Sequence, residues 1–293
     1  MADRVLKLLL GQGQARVILT DTRELVEEAR RIHGTSPVCT AALGRLLTGA
    51  VIMGVQLKSE EERISLDVQG NGPAGRAMVV ADARGYVKGY ITNPDVDLPP
   101  RGVKLDVGGA LGHEGYLTVI RGGAKGEPYV GRCDLVSGEV AEDLATYYLQ
   151  SEQTPSLISL GVMVDTDGSV LSAGGIMIQP LPGCSEEMIS QLELRAPIMG
   201  DMSAILRDTE SLESLIIGLF RGLDPEVVGE DTPQWHCECS RERIESVLVS
   251  LGAEELQDMR DKDHGASVHC HFCNTTYDFT EEDLSGLLTA MGR

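Results

Sequence analysis

Aromatic side chains are scarce in this chain of 293 residues, which has three Phe, seven Tyr and one Trp. So few rings leave little for stacking on nucleobases. Positive charge is also short: 25 Lys and Arg stand against 45 Asp and Glu, a net charge of −20. A surface this acidic repels phosphate backbones and anionic lipid, which argues against nucleic-acid and membrane partners. Uninterrupted apolar runs are missing too. The longest, Val38 to Leu57, is broken by Arg45, Gln56, Thr40, Thr48 and three glycines, and reads as a buried helix rather than a membrane span. Its small residues Thr40, Gly44 and Thr48 lie four apart, so a neighbouring element can approach closely. The opening MADRVLKLLL offers only Leu8–Leu10 as an apolar stretch, too little for a secretory signal, and the expectation is a cytoplasmic protein with reduced thiols.

Catalytic signatures are absent as well. There is no P-loop and no G-x-S-x-G turn, and the abundant carboxylates single out no acid–base pair, so no enzyme is expected. Gly70–Gly75 (GNGPAG) matches G-x-G-x-x-G, but Ala77–Val80 continues as a strand where a dinucleotide site needs a helix, so it reads as a turn. Asp165-Thr166-Asp167-Gly168 looks like the start of a calcium loop, yet Ile176 occupies the bidentate position, so it reads as a hairpin.

The composition that is present, 42% hydrophobic with 34 Gly and 12 Pro, is that of a globular protein long enough for more than one folding unit. Charge is unevenly spread. Residues 1–183 hold 17 basic and 22 acidic side chains, residues 184–232 hold 3 and 11, and residues 233–293 hold 5 and 12. Three regions are therefore expected: an N-terminal core at 1–183, a helical linker at 184–232 and a C-terminal module at 233–293.

In the first region, strands are expected at Arg16–Asp21, Arg63–Val68, Ala77–Val80, Gly85–Ile91, Lys104–Val107, Tyr116–Ile120, Ile158–Asp165 and Ser169–Gln179. Helices are expected at Thr22–His33, from Ser36-Pro37 onward, and at Glu139–Gln150. Hairpins with a few packed helices predict an α+β fold built on a mixed sheet rather than a doubly wound one. In the second region, Ser185 and Asp201 are expected to cap short helices. Met188, Ile189 and Leu192, then Met202, Ile205 and Leu206, then Leu212, Leu215, Ile216, Leu219 and Phe220 form their inward faces. Helices this short depend on packing for stability, so the linker is expected to be metastable.

Four of the seven cysteines are grouped: Cys237-Glu238-Cys239, then thirty residues, then Cys270-His271-Phe272-Cys273. This spacing reads as a four-thiolate zinc site, one Zn2+ per chain. Residues two apart in an extended segment face one side, and a tight turn brings together residues three apart. Four sulfurs close the tetrahedron without water, which points to structure rather than hydrolysis. The intervening Arg241–Arg260 reads as a helix, and Asn274–Phe279 as a strand. The small module would draw much of its stability from metal, roughly 10–16 kcal/mol in zinc-finger peptides. His236, His269 and His271 flank the cysteines and read as supporting or solvent-facing. His33 and His113 read as ordinary surface or core positions. Cys39, Cys133 and Cys184 read as small buried apolar residues.

HCEC at 236–239, CHFCNTTYDF at 270–279, SAGGIMIQPLPG at 172–183 and GNGPAG at 70–75 together resemble the bacterial 33 kDa redox-regulated heat-shock chaperonin family, over essentially the whole chain. The resemblance implies an ATP-independent holding chaperone that binds unfolding proteins under oxidative stress. Cys237, Cys239, Cys270 and Cys273 would hold zinc in the reduced, inactive state. Oxidation would form the disulfides Cys237–Cys239 and Cys270–Cys273, release zinc, and unfold the module and linker to expose apolar surface. The family also suggests a homodimer on activation.

Two rival readings are a zinc-ribbon nucleic-acid binder and a thiol-disulfide oxidoreductase using Cys270 and Cys273. The acid count predicts that the purified protein leaves DNA and RNA unshifted in a gel at low salt. A shift there would favour the ribbon, and catalytic turnover in insulin reduction would favour the oxidoreductase.

Overall fold

The computed structural model describes residues 2–102, 104–123 and 127–291. In chain order, Arg4–Leu10 (β1) and Ala15–Asp21 (β2) precede the helices Arg23–His33 (α1) and Pro37–Gly54 (α2). Arg63–Gly70 (β3), Arg76–Asp82 (β4) and Tyr86–Ile91 (β5) lead to Val107–Leu111 (α3), Gly115–Gly122 (β6), Tyr129–Asp134 (β7) and Ala141–Gln150 (α4). Leu157–Val164 (β8) and Val170–Pro180 (β9) form a hairpin through Asp167-Gly168. Glu186–Arg195 (α5), a 3-10 turn at Ile198–Asp201, Met202–Arg207 (α6) and Leu212–Leu219 (α7) come next, followed by Glu226–Asp231 (β10) and Gln234–Trp235 (β11). The last elements are Arg241–Leu251 (α8), Ala253–Asp261 (α9), Gly265–Cys270 (β12), Thr275–Thr280 (β13) and Glu281–Met291 (α10).

The fold is α+β. Five strands in the order β10-β1-β2-β9-β8 make one sheet, six in the order β11-β5-β4-β3-β6-β7 make a second, and β12-β13 form a hairpin. All pairings are antiparallel except β11 with β5, so the second sheet is mixed. The chain divides into two compact units, Met1–His236 and Cys237–Arg293.

Helix α2 explains the first unit. Ser36 caps it by accepting the Cys39 N–H, with Pro37 at its first position. It is the one helix among the described residues long and apolar enough to cross a membrane, and it is buried as core, packing on strands of both sheets. Its small residues make that approach possible: a Cβ on Gly44 would strike Val26 of α1, and Thr48 Oγ1 lies 2.8 Å from Thr22 Oγ1. Arg45, its lone charge, pairs with Glu139.

The five-stranded sheet is apolar on both faces. Side chains alternate across a strand, so Val5, Ile18, Ala173 and Met177 join the α2 core. Leu6, Leu8, Leu10, Ala15, Val17, Leu19, Ile176 and Ile178 form the opposite face, which a second core covers with Met188, Leu192, Met199, Met202, Leu212, Leu215, Ile216, Leu219, Phe220 and Leu223. The segment read as a linker thus packs, within the first unit, onto a sheet face. Its caps are those expected: Ser185 accepts the Met188 N–H and Asp201 the Ala204 N–H. Polar clasps surround the apolar contact. Arg4 reaches Glu230 at 2.6 Å and Glu213 at 2.8 Å, and Lys7 reaches Asp231 at 2.8 Å.

Several local expectations need correction. The segment 184–232 is not wholly helical, because Glu226–Asp231 pairs with β1 as an edge strand. Lys104–Val107 is not a strand: Lys104 makes one bridge to Arg101, and Val107 opens α3, capped by Asp106. Arg241–Arg260 is not one helix, since Gly252 at φ +100° separates α8 from α9. Cys184 is only half-buried, whereas Cys39 and Cys133 are buried as expected.

A methyl group on Gly161 of β8 would meet the backbone of Ser203 in α6, while one on Gly200 would meet nothing. Gly161→Ala is expected to weaken linker docking by roughly 1–3 kcal/mol, the usual cost of overpacking. Limited proteolysis should then cut within 184–231 faster than in native protein, with Gly200→Ala close to native.

Candidate metal centre

The second unit encloses a small core of Leu248, Leu256, Phe279 and Leu284, with α8, α9 and α10 packed around the β12–β13 hairpin. Two chain features aim the cysteines. Cys237 and Cys239 lie in irregular backbone just before α8, whose start is fixed by Ser240 accepting the Arg243 N–H. Cys270 ends β12, and the chain turns through His271, Phe272 and Cys273 to Asn274, which adopts φ +58° and donates its N–H to the Cys270 carbonyl at 2.9 Å. Asn tolerates this left-handed conformation better than most residues, so the turn is encoded at that position. The register of β12 and β13 then sets Cys270 opposite Thr275.

These features bring the four sulfurs together. The Sγ atoms of Cys237, Cys239, Cys270 and Cys273 all lie within 4.8 Å of one another, and among the described residues no histidine or carboxylate joins the group. Cys237 and Cys270 are 3.8 Å apart, and Cys239 and Cys273 are 3.0 Å apart. A tetrahedron of sulfurs about 2.3 Å from a metal has edges of about 3.8 Å. One cross-pair already has that spacing and the other opens slightly to reach it, so the four could hold a metal ion.

Hydroxyl groups on β13 support two of the sulfurs. Tyr277 donates its hydroxyl to Cys239 Sγ at 3.2 Å, and the Thr275 hydroxyl lies 3.3 Å from Cys273 Sγ. Residues 275, 277 and 279 share a strand face, so the face that buries Phe279 in the core also delivers both hydroxyls. Burial pushes the Cys237 thiol up to about 12 and raises Cys239 as well. Burial acts the same way on Cys273, but hydrogen bonds from Cys239 and Thr275 outweigh it and bring that thiol down to about 7. The bond to Cys239 in turn pushes Tyr277 up to about 12. Protons satisfy this crowded cluster unevenly, and a cation with four-sulfur preference would satisfy it better.

The other sequence candidates stand apart. His236 lies 4.6 Å from the Tyr86 ring, centroid to centroid. His269 Nδ1 is 3.1 Å from Thr276 Oγ1, and its ring meets that of His271 edge-on at 5.3 Å. His33 sits 2.9 Å from the Gly89 carbonyl. The GNGPAG segment is a turn, as expected. Sequence reading missed Thr275 and Tyr277. The available signal was their period-2 spacing with Phe279 immediately after the second cysteine pair.

Known proteins resemble this chain along nearly its whole length. Residues 3–280 match the family model described as Hsp33 protein. The 33 kDa chaperonin of Clostridium perfringens is 42% identical over 98% of this chain and 91% of its own length. That of Alkaliphilus metalliredigens is 40% identical over 99% of this chain and 100% of its own length. Among solved structures, the 33 kDa chaperonin (heat shock protein 33 homolog) of Thermotoga maritima superposes with a TM-score of 0.87 at 37% identity, covering 99% of both chains.

Removing the Tyr277 hydroxyl tests its part in the cluster. Tyr277→Phe keeps the ring and is expected to weaken metal binding by about 10-fold or more, as loss of a ligand's hydrogen-bonding partner does elsewhere. Competition with a colorimetric chelator measures this, with Thr276→Val as a control.

Proposed function

The chain belongs to the Hsp33 family of chaperonins, and from that premise we propose that it is a redox-regulated, ATP-independent holdase that binds unfolding proteins under oxidative stress. The observation that carries this reading is the pairing of a four-sulfur cluster with a sheet face whose cover is a segment of short helices. In the reduced state Cys237, Cys239, Cys270 and Cys273 hold one Zn2+ ion. The bound ion supplies a structural cross-link and offsets thiolate charge.

Oxidation acts on the sulfurs. Each pair of thiolates gives up two electrons to one peroxide, which takes two protons from solvent, forming an S–S bond and two waters while the ion is released. The pairs are Cys237–Cys239 and Cys270–Cys273, on the strength of the family resemblance. Close sulfur approaches in the folded module also run across the motifs, from Cys237 to Cys270 and from Cys239 to Cys273, so peptide mapping discriminates between the pairings. Once the sulfurs are paired they no longer serve as ligands, and a module with a four-residue buried core loses its main cross-link.

The linker is the next element to yield. Gln234 and His236 donate backbone N–H groups to Gly85 and Val87, and Cys237 follows directly in the chain. The linker carries 3 basic and 11 acidic side chains beside a module with 5 and 12, so self-repulsion favours opening. Undocking uncovers Leu6, Leu8, Leu10, Val17, Leu19, Ile176 and Ile178 together with the helices' own apolar sides, a surface suited to exposed hydrophobic segments of client proteins. Reduction reverses the change. The expected setting is the reducing cytoplasm, and activation favours a homodimer as the family suggests.

The test pairs metal quantification with light scattering of a heat-denatured client. Reduced protein should contain one zinc per chain and leave aggregation unchanged. Protein treated with peroxide at mild heat should lose zinc and suppress aggregation. Cys270→Ser with Cys273→Ser should abolish the dependence on peroxide. Suppression that is equal in reduced and oxidised samples would overturn the proposal.

A further inference from the structure

Three of the chain's ten methionines lie in the linker segment, and all three point into its contact with the sheet. Met199 is 0% exposed, Met202 1% and Met188 6%. The Met188 methyl packs against Gly11, where a Cβ would force it to shift. The cluster they join is otherwise built of Leu, Ile, Val, Ala and Phe side chains. A thioether suits such a site because it is flexible and apolar. Besides the half-buried Cys184 packed against the cluster, it is the group in that interface that a mild oxidant converts from apolar to polar.

We propose that Met188, Met199 and Met202 form a second oxidation site, closed while the linker is docked and open once it undocks, and that their sulfoxides hold the linker off the sheet. The proposal rests on the reading in which cysteine oxidation undocks the linker. The chemistry is oxygen transfer from a two-electron oxidant such as hydrogen peroxide. The thioether sulfur gives two electrons to the peroxide, the O–O bond breaks, one oxygen stays on sulfur as S=O, and the other leaves as water. A sulfoxide is a strong acceptor. Returned to an interface of aliphatic walls it would be buried without a donor, which disfavours redocking.

The consequence is a two-stage memory. Disulfides reverse with thiols alone, whereas a sulfoxide needs a methionine sulfoxide reductase. Brief exposure would then give activation that thiols cancel. Prolonged exposure would give a state that stays open until the thioethers are restored.

The chain carries its own controls. Met53 is 5% and Met177 0% exposed in the α2 core, which does not open in this scheme, while Met291 is already 37% exposed in the folded module. Peptide mass spectrometry during peroxide treatment should show oxygen added to Met188, Met199 and Met202 at least tenfold faster after cysteine oxidation than in reduced, zinc-loaded protein. Met53 and Met177 should remain unmodified, and Met291 should react in both. After a thiol reductant and zinc are returned, long-treated native protein should stay protease-sensitive within 184–231 and keep its client-holding activity. Sulfoxide reductase should close it. A variant with Met188→Leu, Met199→Leu and Met202→Leu, nearly volume-conserving, should close with thiol reductant alone. If that variant does not fold, the reductase rescue of native protein still decides the question.

A second arm separates this proposal from the reading beneath it. Low urea opens the linker without using the cysteines; peroxide is added, and the sample is diluted into reductant and zinc. Failure to redock there, reversed by the reductase, supports the methionine latch even if cysteine oxidation proves unable to undock the linker. Full redocking with oxygen on all three methionines overturns it, and so does equal oxidation of the three in docked and undocked protein.

Discussion

A five-stranded sheet with apolar side chains on both faces must be covered twice, and the rest of this protein follows from how the two covers differ. One face packs on α2, an 18-residue helix that is almost wholly buried and held between two sheets. The other packs on α5, α6 and α7, helices of 10, 6 and 8 residues that are too short to persist alone. Burying a leucine side chain is worth about 1.5–3 kcal/mol, so the second cover is strongly attracted to the sheet. Its helices nonetheless have no stability apart from that contact. A cover of this kind is present or absent as a unit.

The cluster of four sulfurs gives the other half of the account. Its module has few buried apolar residues, so on the proposed reading a metal cross-link supplies what the core does not. The same sulfurs are also redox-sensitive. Stability and sensing then depend on one set of atoms, and chemical change there alters folding directly. The acidic bias of residues 184–293 works in the same direction, because it opposes compaction wherever cross-links or apolar contacts are lost.

Much of this was legible in the sequence. Cys237, Cys239, Cys270 and Cys273 are identified by spacing alone, Ser36-Pro37 and Gly34 bound their helices, and Asp167-Gly168 marks the β8–β9 turn. What escaped has physical reasons. Strand β1 (RVLKLLL) is apolar toward both faces, so it shows weak alternation, and its pairing with β10 joins residues more than two hundred positions apart. Helix α1 receives its cap from Asp3, whose carboxylate accepts the Glu24 and Leu25 N–H groups, a long-range contact that no local motif announces. Gly252 reads equally well as a tolerated helix glycine or a break, and only its conformation decides. The hydroxyls of Thr275 and Tyr277 follow from the register of a hairpin, which the cysteine spacing does not specify.

Hydrogen–deuterium exchange tests the central claim most directly, because it reads the two covers of one sheet separately. The account predicts that α5, α6, α7 and β10 are protected in reduced, metal-loaded protein and lose that protection after the four cysteines are oxidised, while α2 stays protected throughout. Unchanged protection of α5, α6, α7 and β10 in fully oxidised protein, or loss of α2 at the same rate, would contradict it.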